Sequence, residues 1–127
     1  MKTFSTLTTV TGLLLAALAV DASAAGVRVT CEVRPGRAKA SVDGRALAAG
    51  TYTTQIVSGG NVATSPAQAA VSGEIETDYA SNPGDIAGGA TPISPSFISG
   101  GQLTGKVVDA SGNTVASDTV ACRVRNR

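Results

Sequence analysis

Between Val27 and Arg34 the chain alternates residue by residue: Val27, Val29, Cys31 and Val33 fall on one parity, and Arg28, Thr30, Glu32 and Arg34 on the other. A period of two is the pattern of a strand with one face buried and one in water. The same alternation returns near the end, where Val120, Cys122 and Val124 oppose Arg123 and Arg125. Both cysteines therefore point inward, on the first and last strands. Between them, β-prone runs are separated by turn residues. Arg34-Pro35-Gly36-Arg37 predicts a turn, residues 38–43 a short strand, and Asp43-Gly44 a second turn. Residues 51–58 read as a strand with Tyr52, Thr54 and Ile56 on one face, and Gly59-Gly60 reverses it into residues 61–64. Ser65-Pro66 ends that strand, and residues 69–79 form the next, interrupted at Gly73. Residues 102–110 and 114–125 close the pattern as a hairpin around Ser111-Gly112-Asn113. Inward parity in the last strand moves from Val115 to Val120 and Cys122, which predicts a bulge near Ser117-Asp118.

Residues 80–101 break the rhythm. They are dense in Gly, Pro and Ser, with Ile86, Ile93, Phe97 and Ile98 scattered among them. Those apolar residues predict that the segment packs on the domain, with a helical turn near Asp85-Ile86 and a short irregular strand near Phe97. No long helical period and no internal repeat occurs. The expected fold is all-β: an antiparallel β-sandwich of about seven strands, immunoglobulin-like only in the broad sense, with an open barrel as the alternative. A true immunoglobulin domain is not expected, because the chain has no Trp and no Tyr two residues before Cys122.

The front of the chain follows a different logic. Lys2, the apolar run from Val10 to Val20, and Ala22-Ser23-Ala24 have the form of a cleavable signal peptide, residues 1–24, ahead of one domain, residues 25–127. The apolar run is about half the ~20 residues of a membrane span. No later stretch reads as transmembrane, so the expected location is periplasmic or secreted. In that compartment Cys31 and Cys122, the only cysteines, are expected to form a disulfide between the first and last strands. The bridge matters because the domain's aromatic residues are only Tyr52, Tyr79 and Phe97, leaving a core of smaller aliphatic side chains.

Net charge is +1, and loss of Lys2 and Asp21 with the signal leaves it unchanged, so nucleic acid is not an expected partner. The placement of charge says more. Arg28, Arg34, Arg123 and Arg125 lie on the outward parity of the terminal strands, and Glu74, Glu76 and Asp78 share one face of a central strand. These sets form a candidate basic surface and a candidate acidic surface, suited to an envelope protein partner or to self-association.

The Glu74, Glu76, Asp78 run is also the one place where chemistry is conceivable. Successive carboxylates on one strand face stand about 6.5 to 7 Å apart, near the separation of a glycosidase pair. The chain lacks the tryptophans of a sugar cleft, and a small hydrolase is the least favoured alternative. A calcium-dependent structural domain is the other, through Asp78, Asn82 and Asp85 or Asp109, Ser111 and Asn113, although neither set has the calcium-loop spacing and Asx-type turns account for both. With no histidine, no nucleophile elbow and no phosphate-binding glycine loop, the sequence predicts no catalytic residue, no metal and no cofactor.

Cys31-Glu32-Val33-Arg34, Ser41-Val42-Asp43-Gly44, Leu47 with Gly50-Thr51-Tyr52, and Gly105-Lys106-Val107 leading to Cys122-Arg123-Val124-Arg125 together resemble a group of small exported bacterial β-sandwich proteins of unassigned function. The resemblance implies a secreted β-domain and brings no active site with it. The expectation is a non-enzymatic binding or assembly module of the periplasm or cell envelope.

Overall fold

The computed structural model describes residues 24–126; the predicted signal, but for Ala24, lies outside them. β1 (Gly26–Arg34) and β2 (Arg37–Arg45) form the first hairpin. Pro35 presets its own φ and Gly36 takes φ 70°, the proline-then-left-handed-glycine order of a type II turn. The second turn expected at Asp43-Gly44 is absent, because β2 continues through it. Gly44 is buried, and a Cβ there would stand 3.1 Å from Ile75 and Val107. This glycine serves close packing between layers, and the reversal falls beyond β2, where Ala46 has φ 55°.

β3 (Thr51–Ser58) and β4 (Asn61–Thr64) pair across Gly59-Gly60 as the sequence predicts. The single strand expected over residues 69–79 divides. β5 (Gln68–Ala69) pairs with β3, whereas β6 (Ile75–Ala80) pairs with β2. Between them Val71 and Glu74 exchange both backbone hydrogen bonds at 3.0 Å around Ser72 and Gly73, with φ 53° and 77°. Two consecutive left-handed residues make a tight hairpin loop, and here it carries the chain from one sheet to the other.

The predicted helical turn is α1 (Pro83–Ala87), started by Asn82, whose side chain accepts from the Gly84 N–H at 2.9 Å. The short strand of this region is β7 (Thr91–Pro92), beside β6, and not at Phe97. Phe97 closes a turn by donating its N–H to the Ser94 carbonyl, and its ring is buried with Ile93. β8 (Gln102–Asp109) and β9 (Thr114–Ala121) form the closing hairpin, and β10 (Arg123–Val124) follows. The bulge lies earlier than predicted. Val107 pairs with Ala116 but Val108 pairs with Thr114, so Val115 is the extra residue and is 36% exposed. Ala116, Val120 and Cys122 then share one parity with no shift at Ser117-Asp118.

Two sheets result, in the orders β10-β1-β2-β6-β7 and β4-β3-β8-β9, with β5 beside β4 on the outer edge of β3. Seven strands have four residues or more, as the sequence suggests; β5, β7 and β10 are two-residue additions. Two pairings, β1 with β10 and β6 with β7, are parallel. Cys122 marks the point where the last segment leaves β8 for β1, and its disulfide to Cys31 spans a Cα–Cα distance of 4.8 Å.

Between the sheets lie Val42, Ile56, Tyr79, Leu103 and Val107, each at most 1% exposed. The Tyr79 hydroxyl and Thr54 Oγ1 are 2.6 Å apart across the two layers, and Ser65 Oγ accepts from the Thr54 N–H at 2.9 Å. Burial pushes the Tyr79 phenol above its ordinary pKa, so it stays neutral. On β6, Ile75, Thr77 and Tyr79 are buried while Glu76 and Asp78, and Glu74 just before the strand, are exposed. That register presents the carboxylates on the outside of the five-stranded sheet.

Candidate functional site

The outward face of the five-stranded sheet is built by period-two geometry from β1, β2 and β6. Paired residues project to the same side, so the register reads out the rows of the surface. Arg34 lies opposite Arg37, Glu32 opposite Lys39, Thr30 opposite Ser41, and Arg28 opposite Asp43; on the other flank of β2, Ser41 faces Asp78 and Asp43 faces Glu76. β10 adds Arg123 beside Glu32.

At the hairpin end, Glu32 is surrounded by cations. Arg34 Nε donates to Glu32 Oε2 at 2.6 Å, and Arg125 Nε stands 3.6 Å from Oε1. The Arg34 hydrogen bond, aided by the charges of Arg34, Arg125 and Lys39, holds the Glu32 carboxyl below its ordinary range. Lys39 Nζ lies 3.9 Å from the Asp85 carboxylate of α1. A hollow of about 250 Å³ opens here, lined by Glu32, Arg34, Arg37, Lys39 and Asp85.

At the opposite end Asp43 sits between Arg28 and Glu76, above a shallow hollow of about 510 Å³ that Arg45 and Glu74 also line. Asp43 Oδ1 is buried without a hydrogen-bond partner. Desolvation, then the neighbouring Asp78 charge, raises its pKa above the usual aspartate value, against the pull of Arg28 and Arg45. A raised folded-state pKa means that the protonated form suits the fold, so Asp43's contribution to stability is present at low pH and is lost as pH rises through that pKa. Asp43→Asn is therefore expected to raise the melting temperature at pH 7, with the gain vanishing below about pH 3.8, the unperturbed aspartate value. Melting curves from pH 3 to 7 test this; a lower melting temperature for the variant at pH 7 would refute it.

The structure thus regroups the residues singled out from the sequence. Arg34, Arg123 and Arg125 come together, but Arg28 does not join them. It lies four residues up β1 from Glu32, about 13 Å away, among Asp43, Glu74 and Glu76. Sequence reasoning missed Asp43 and the central role of Glu32; a two-residue loop at Pro35-Gly36 already implies Glu32 opposite Lys39 and Arg28 opposite Asp43. The two oxygen-rich sets considered for calcium serve local turns. Asn82 caps α1, and Asp109 Oδ1 accepts from the N–H groups of Ser111 and Asn113 at 3.0 and 2.9 Å. Among the described residues no group of three or more acidic, His or Cys side chains converges as a metal site requires.

The other sheet presents a different face. Thr53, Gln55, Thr104, Ser117 and Thr119 stand outward there, with Thr104 and Thr119 hydroxyls 2.7 Å apart, and Lys106 is the one charged residue among the outward positions of β3, β4, β8 and β9. No protein-family model, curated protein or solved structure matches the chain. No helix among the described residues is long and apolar enough to cross a membrane.

Proposed function

We propose that this protein is a non-enzymatic binding or assembly module of the periplasm or cell exterior, and that it meets its partner through the charged face of the five-stranded sheet. The export reading rests on residues 1–24 and agrees with the disulfide, which persists in oxidising compartments. The observation that carries the binding reading is the asymmetry between the two faces. Twelve charged side chains, from Arg28 to Arg125, occupy β1, β2, β10 with Arg125 just beyond it, and the outward positions of β6 with Glu74, against Lys106 alone on the opposite face. Solubility needs no such segregation. A charged face of this kind steers association and fixes orientation, and its effect falls as salt shortens the Debye length from ~10 Å at 0.1 M.

The test is capture from an envelope extract at low and high salt by immobilised protein. Arg123→Glu with Arg125→Glu, or Glu74→Lys with Glu76→Lys, is expected to change the captured set while leaving the melting temperature nearly unaltered, since all four residues are exposed. Thr53→Lys on the neutral face is the control and should leave capture as it was. Capture that ignores both reversals, or that follows Thr53→Lys instead, refutes the charged face as the binding surface.

A further inference from the structure

The charged face is divided by sign along its own length. The hairpin end holds five cations (Arg34, Arg37, Lys39, Arg123, Arg125) against Glu32 and Asp85, a net of +3. The far end holds three carboxylates (Asp43, Glu74, Glu76) against Arg28 and Arg45, a net of −1. Thr30 and Ser41, joined by a hydrogen bond of 2.7 Å, lie between, with Asp78 beside Ser41 in the same row. A surface shaped for a partner of one sign would be of the other sign throughout. A surface with both signs at opposite ends is complementary to itself, because a two-fold axis in the plane of the face, perpendicular to the line joining the ends, lays each end on its opposite.

Building on the reading of this face as the binding surface, we infer that its partner is a second copy of the chain, and that two copies associate face to face with the basic end of each over the acidic end of the other. The hollow beside Arg37 and Lys39 is open to receive carboxylates from the partner's Glu74 and the partner's Glu76. The nine, nine, six and two residues of β1, β2, β6 and β10 give about 400 Å² per copy, so the pair buries about 800 Å², below the ~1,200 Å² of a standard interface and in the range of weak, transient encounters. Such a dimer is weak, exchanges readily and depends on ionic strength.

Sedimentation velocity on the exported, disulfide-bonded protein across a concentration series tests the inference. At about 0.02 M NaCl the weight-average sedimentation coefficient is expected to climb towards the dimer value, and at about 0.5 M it should stay at the monomer value. The decisive step uses two variants. Arg123→Glu with Arg125→Glu leaves both ends net negative, and Glu74→Lys with Glu76→Lys leaves both ends net positive. Each is expected to lose self-association by tenfold or more, yet the two mixed together should associate with one another. That gain cannot come from misfolded material. A wild-type protein that remains monomeric at millimolar concentration and low salt overturns the inference, as does a dimer indifferent to both reversals or a mixture of the two variants that fails to associate. If the protein stays monomeric while salt-sensitive capture of an envelope protein persists, the self-association fails and the binding reading stands; if capture is lost as well, both fail.

Discussion

Reduction of the Cys31–Cys122 bond is expected to lower the melting temperature by about 10 to 30 °C. The bridge closes a loop with a sequence separation of 91, for which the chain-entropy relation gives about 4.6 kcal/mol and measured native bridges give about 2 to 5. For a domain of this size each kcal/mol moves the midpoint by about 4 to 8 °C. The geometry explains why so much rests on one bond. β10 contributes only two paired residues to β1, Glu32 with Arg123 and Val33 with Val124, and one further backbone bond from the Arg125 N–H to the Val33 carbonyl. Without the crosslink that short parallel pairing must hold the edge unaided. Thermal melts of oxidised protein, reduced protein and a Cys31→Ala, Cys122→Ala double variant check the claim. A shift below about 5 °C in both the reduced and the double-variant samples would show that the terminal strands hold by packing alone.

Gly105→Val is expected to unfold the domain at room temperature or to destabilise it by more than about 3 kcal/mol, the upper part of the overpacking range. Gly105 lies on the inward parity of β8, and a Cβ built there would stand 2.7 Å from Val29 Cγ2 and 3.0 Å from Val42 Cγ2. Valine favours strand backbone, so propensity alone predicts a gain, and the steric term decides the sign. Val29 belongs to β1 and Gly105 to β8, so any relief requires the layers to part or Val29 to shrink. Gly105→Ala combined with Val29→Ala should therefore recover part of the loss seen for Gly105→Ala alone. Denaturant melts of the four proteins in that cycle give the coupling. Additive losses, or a Gly105→Ala variant as stable as the parent, would place the layers farther apart than described here.

These two sites also show what a sequence discloses. Strand parity was legible wherever one face meets water: the alternation of Val27, Val29 and Cys31 and of Ile75, Thr77 and Tyr79 names the inward residues, and both cysteines fall in the same set. Hairpins with glycine loops were legible too, at Gly36 and Gly59, because those conformations suit few other residues. Gly44 was misread for the same reason that Gly105 would be. A glycine that makes room for a neighbouring layer looks, in sequence, like a glycine that turns the chain, and only the facing residues Ile75, Val107 and Leu47 tell the two apart. The bulge was misplaced because Val115 was taken as inward on its apolarity alone. The crossings between sheets, at Ser72-Gly73 and at Cys122, were not legible as crossings, since both layers share a period of two, and Gly73 showed only as an interruption. The candidate site suffered most from this. Arg28 was grouped with Arg123 and Arg125 by taking the terminal strands as neighbours, and they are, but β10 reaches only Glu32 and Val33.

That late and brief pairing has a consequence for how the chain reaches its final form. Glu32 waits for Arg123, and β3 waits for β8 some fifty residues on, so a partial chain emerging in order can complete the β1–β2 and β3–β4 hairpins but neither sheet. Domains dominated by such distant pairings fold slowly, on the scale of milliseconds to seconds, because loop-closure entropy is met before the contacts that offset it are made. Residues ahead of β8 therefore have no stable globule to collapse into while synthesis continues. Under the export proposed above, that delay keeps the chain extensible until its final strands are available to fold with it.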